Sequence, residues 1–72
     1  MEKNEKLLFL NKELENTKNE LNQINTTMDF LNSLSEVPEV YLGNFHNYNR
    51  TLTFFNEKIL WLEAKIQEIE AE

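Results

Sequence analysis

The stretch Leu52-Thr53-Phe54-Phe55-Asn56-Glu57-Lys58-Ile59-Leu60-Trp61-Leu62-Glu63-Ala64-Lys65-Ile66-Gln67-Glu68-Ile69 decides the fold. Leu52, Phe55, Ile59, Leu62, Ile66 and Ile69 recur at alternating steps of three and four, the a and d positions of a heptad. A strand would alternate at a period of two, and this segment does not. The same phase reaches backwards through Tyr48 and Phe45 to Tyr41. The N-terminal half repeats the pattern with Leu7, Leu10, Leu14, Thr17, Leu21, Ile24, Met28 and Leu31, Thr17 being its one polar lapse.

Glycine and proline punctuate chains, and each occurs here once. The only break is Asn32-Ser33-Leu34-Ser35-Glu36-Val37-Pro38. Proline suits a first helical turn, where its missing N–H has no intrahelical partner, and Ser33 or Ser35 is placed to cap. These signals predict one domain of two helices, about 3–32 and about 38–70, joined by a turn at about 33–37. Gly43 weakens the start of the second helix by roughly 1 kcal/mol relative to alanine, so a start near Asn47 competes. Two long helices with a short turn fold back on each other. The expected fold class is all-α, an antiparallel, coiled-coil-like two-helix hairpin that associates with another chain.

Heptads leave the register open. A tight turn at residues 33–37 sets Ile24 against Phe45, Leu14 against Phe55 and Leu10 against Ile59. A longer loop centred on Pro38 sets Leu14 against Leu62 and Leu10 against Ile66. The tight turn is preferred because the pattern reaches Tyr41. It leaves Ile66 and Ile69 without a partner inside the chain.

The seam does not use every apolar residue. Val40, Phe54 and Trp61 occupy c positions of the second helix, with Leu60 beside Trp61; Leu8, Phe9 and Phe30 occupy b and c positions of the first. Charged residues normally stand there. Single exposed hydrophobics are common, and a thin hairpin wrapped by a wide apolar face is the plain alternative. The stronger expectation is a second face covered by protein, with Val40, Phe54, Leu60, Trp61, Ile66, Ile69, Phe9 and Phe30 as partner-binding residues, because Trp and Phe are favoured at desolvated interface centres.

Composition excludes several classes. With 72 residues the chain buries only about 60% of its unfolded surface, and without cysteine it has no disulfide or thiolate metal site. Thirteen acidic against seven basic residues give a net charge of -6, which argues against nucleic acid as a partner. The longest apolar runs are far short of the about 20 residues of a membrane span or the 7–15 of a signal peptide, so the expected location is cytoplasmic, with no membrane partner. His46, the single histidine, has no companion ligands at recognisable spacing. Ser33 and Ser35 have no base to activate them, and carboxylates are ordinary on coiled-coil surfaces. No enzyme, cofactor, metal or small-molecule substrate is expected.

Pro38-Glu39-Val40-Tyr41, opening a second long helix after a first of about thirty residues, resembles the small helical-hairpin co-chaperones of type III secretion needle subunits, the YscE/PscE family. The likeness covers the whole chain as architecture and these few residues as motif; Gly43-Asn44 departs from the family's more regular helix start. It implies a cytoplasmic co-chaperone that pairs with a larger, repeat-type helical chaperone and helps keep a needle subunit monomeric before export. The off-seam apolar residues would then be the docking face for that chaperone. A prefoldin-like hairpin is a weaker likeness. Two alternatives stand beside it: a self-assembling four-helix bundle of two hairpins, and an acidic inhibitor of a basic cleft, which the scattered carboxylates favour least.

Overall fold

The structure, a computed structural model, describes residues 2–36 and 45–72, with the side chains of Phe45 and His46 outside that description. It is an all-α helical hairpin. Helix α1 spans Lys3–Ser33 and helix α2 spans Phe45–Glu70, and the two pack along their length. The molecule is a rod of 53 × 16 × 16 Å.

Local chemistry supports two uninterrupted helices. Asn11, Thr17, Thr26, Thr51 and Thr53 each turn the side-chain donor back onto the carbonyl four residues earlier, at 2.8–3.0 Å. Their polar atoms are therefore satisfied without leaving the helix. Helix α1 ends where the Leu34 N–H donates to the Leu31 carbonyl at 3.2 Å and Leu34 itself is extended. Ser33 belongs to this end: its hydroxyl donates to the Phe30 carbonyl at 2.6 Å. It is thus not the N-cap of the second helix, and a cap at Ser35 or a helix start at Pro38 falls on a boundary outside the described residues. Glu36 adopts φ 60°, the left-handed region that non-glycine residues enter at a cost.

The last turn of α2 carries no basic residue to offset the negative end of its dipole. Lys3 of α1 supplies that charge, its Nζ donating to the carbonyls of Glu70 and Glu72 at 3.5 and 3.3 Å. The acidic C-terminus stays hydrogen-bonded, with Ala71 and Glu72 donating to Gln67 and Ile69.

Cross-links between the two helices set the register, the ion pair of Lys18 with Glu63 among them. Lys58 donates to Glu13 at 2.8 Å, the Tyr48 hydroxyl donates to Asn25 at 2.8 Å, and Lys3 reaches the end of α2. The tight turn would set Glu13 opposite Asn56; the long loop would set it opposite Glu63. Glu13 with Lys58 on one side of the seam and Lys18 with Glu63, at 3.8 Å, on the other are together compatible only with the long-loop register, which sets Leu14 against Leu62 and Leu10 against Ile66; the preferred tight turn is not the one formed. The consequence is clearest at the open end. Ile66 is buried and Ile69 half-buried, so they have partners inside the chain, contrary to the tight-turn expectation.

The core is thin, as a rod of two helices requires. Among the described residues it consists of Phe55, Leu62 and Ile66 with Thr17, which at 1% exposure is the most enclosed side chain. Thr17, the polar lapse in the seam of α1, is enclosed by the packing of the two helices. The Thr17 hydroxyl remains satisfied by the Glu13 carbonyl.

Candidate functional site: an exposed aromatic face

On a helix each residue advances about 100°. From a at zero, g falls at about 240° and c at about 200°, whereas e falls at about 40° and b at about 100°. Each helix of an antiparallel pair therefore has a g–c side and an e–b side, and like sides of the two helices adjoin. The ion pairs identify them. Glu13 and Lys58 are both g, and their Oε1–Nζ distance is 2.8 Å; Lys18 and Glu63 are both e, at 3.8 Å.

Phe9, Phe30, Phe54 and Trp61 are all c residues, so all four fall on the g–c side of the hairpin. They are 66%, 60%, 61% and 56% exposed. Helical rise spaces Phe9 and Phe30 by about 32 Å, with Trp61 and Phe54 between them in level. Leu8 and Leu60 are b residues, about 100° away, and are also exposed. Of the residues expected to bind a partner, then, Phe9, Phe30, Phe54 and Trp61 share a face, Leu60 turns away from it, and Ile66 belongs to the seam. Val40 lies outside the described residues.

At the open end the face becomes a groove of about 270 Å³ lined by Lys6, Phe9, Leu10, Trp61, Lys65 and Ile69. The Lys65 ammonium stands 5.9 Å from the centre of the Trp61 ring and 3.4 Å from Glu68, holding the indole against α2 while leaving more than half of it in solvent. Phe54 meets Phe55 edge-on at 5.7 Å, so one ring packs into the seam and its neighbour stands outside it. Nearer the turn, Gln23, Ile24, Thr27 and Met28 line a second hollow of about 300 Å³ on the same side of α1.

Lys6, Lys65 and Leu10 are groove residues that sequence reasoning passed over. Their signal was there: Lys6 and Lys65 are the g residues that border Phe9 and Trp61. Among the described residues no cluster of His, Asp and Glu is arranged to hold a metal ion, and no helix is long and apolar enough to cross a membrane. His46 lies in α2.

Compared with known families, with curated proteins and with solved structures, the chain finds no match.

Proposed function

We propose that the chain is a non-enzymatic docking module that buries its aromatic face against another helical protein. The observation that carries this is the placement of Phe9, Phe30, Phe54 and Trp61 on one side of the hairpin, each more than half exposed. Bare rings of this size are normally covered in a working protein, and Trp is among the residues that most often dominate interface energetics. The hairpin supplies rigidity. Its seam fixes the two helices, so the stripe is presented preformed and binding orders little backbone.

In the finer reading, which rests on the Pro38-Glu39-Val40-Tyr41 resemblance, the partner is a larger repeat-type helical chaperone of the cytoplasm. The pair then helps keep a type III secretion needle subunit monomeric. Concave helical repeats suit a rod with one apolar side.

Co-expression with the repeat-type chaperone and needle subunit of a secretion system encoded near the chain's own gene tests this. The expected result is a co-purifying complex that Trp61→Ala and Phe54→Ala weaken roughly 30-fold or more while helix content is retained. Absence of any complex removes the secretion role. Loss of helix content in the two variants removes the docking face itself.

A further inference from the structure

The groove at the open end carries like charges where the rest of the seam carries opposite ones. We infer that it takes an acidic amphipathic helix of the partner, with an apolar side chain on its floor and a carboxylate between Lys6 and Lys65. This rests on the reading of the aromatic face as a docking surface and names the chemistry of what docks there.

Three observations lead there. The first is the pairing of charges across the seam. Glu13 and Lys58, both g, are joined at 2.8 Å, and Lys18 and Glu63, both e, approach to 3.8 Å. One heptad from Glu13 and Lys58 toward the open end, the same two g positions hold Lys6 and Lys65. Both line the groove. Opposite charges at such positions fix how paired helices meet, and like charges oppose it. Lys65 is met only along its own helix, by Glu68 at 3.4 Å. Lys6 makes no ion pair among the described residues, although Glu2 lies one turn before it. A folded chain breaks its own local rules chiefly where it binds or reacts.

The second is the floor. Between the two lysines the groove is lined by Phe9, Leu10, Trp61 and Ile69, all apolar. An inorganic anion would leave that floor bare, and a plain hydrocarbon would leave the lysines unanswered. A ligand with an apolar body and an anionic neighbour uses both. The volume of about 270 Å³ falls just below the about 300–1,000 Å³ of small-molecule sites, which suits one large side chain.

The third is the setting. One wall of the groove belongs to α1 and the other to α2, which pack along their length. A third helix fills such a depression between two others. Residues three and four apart share one face of a helix, so an apolar anchor on the floor brings an Asp or Glu one turn away within reach of the lysines. The hollow of Gln23, Ile24, Thr27 and Met28 has no charged lining, so the demand for acid belongs to the open end. The net charge of -6 repels an anionic lipid surface, which spreads its charge over a plane. A single carboxylate set between two ammonium groups gains from contact, within the screening length.

A display library of helical peptides reads this chemistry. Each peptide carries one apolar stripe at heptad spacing and no tryptophan, and the positions beside the stripe are drawn equally from Glu, Gln and Lys. Peptides selected on the full chain, and kept where they shift Trp61 emission to the blue, should carry Glu within one turn of a common apolar residue. Lys6→Met and Lys65→Met remove a charge and keep an unbranched apolar side chain. Each should weaken such a binder roughly tenfold with far-ultraviolet dichroism unchanged, while Lys12→Met, an exposed f residue, should leave affinity as it is. Binders that cover Trp61 with Gln or Lys at those positions, or that respond to neither substitution, overturn the acidic partner and leave the docking face standing. Phosphatidylglycerol vesicles that shift the emission where no peptide does overturn it in favour of a lipid surface. If neither peptides nor vesicles cover Trp61, the docking face fails as well.

Discussion

Adjacent residues of α2 have opposite surroundings. Leu62 is 3% exposed and Trp61 more than half exposed, though both are large and apolar. Truncating each to alanine should separate seam from face. Leu62→Ala removes a filled core volume and should cost about 2–4 kcal/mol in unfolding free energy, most of what so small a core supplies. Trp61→Ala removes an indole that stands more than half in solvent and should cost under about 1 kcal/mol in dilute solution. Urea unfolding of the two variants checks this, and equal losses would place Trp61 in the core. Glu36 offers a gain: glycine accepts φ 60° freely, so Glu36→Gly should raise stability by roughly 0.5–1 kcal/mol, read as a higher denaturation midpoint at unchanged slope.

At the scale of the element, the heptads of both helices were readable because burial on one side of a helix imposes a period that nothing else in the chain obscures. The c-position aromatics were readable for the same reason, as departures from it. Register was not. Sliding one helix by a heptad restores the same a/d alternation, so apolar spacing is blind to the choice. The deciding contacts are polar ones, Glu13 with Lys58 on one side of the seam and Lys18 with Glu63 on the other, whose partners lie far apart in sequence. That is why Ile66 looked spare and is buried. The common side of Phe9 and Trp61 was likewise hidden until the pairing of g with g was seen in Glu13 and Lys58. This ion pair is partly exposed, with side chains 32% and 41% accessible, so its contribution is about 0.2–1 kcal/mol and screened by salt. A double-mutant cycle on Glu13→Gln and Lys58→Met should return a coupling in that range in low salt and less in 1 M salt. Zero coupling in both would mean that this pair adds nothing to the stability of the seam.

At the scale of the molecule, a rod 16 Å thick has nowhere to hide four more rings. Widening the core would need a third layer, and the chain has only two helices to give among the described residues. On the proposed reading the additional layer is another protein, which ties stability to association. Thermal unfolding should therefore shift upward with the concentration of a protein that covers the face, because a species that binds the folded form stabilises it by mass action. A melting temperature independent of that concentration over a roughly hundredfold range would mean that the hairpin has no such association to draw on.

The fluorescence of Trp61, the chain's only tryptophan, tests the central claim most directly. In the dilute, isolated chain its emission should be that of an indole in water and should be quenched readily by iodide. Both properties should be lost when a protein surface covers the face. Blue-shifted, iodide-resistant emission from a species shown by light scattering to be a monomer would contradict the claim, because the ring would then be sheltered by its own chain and the face would need no partner.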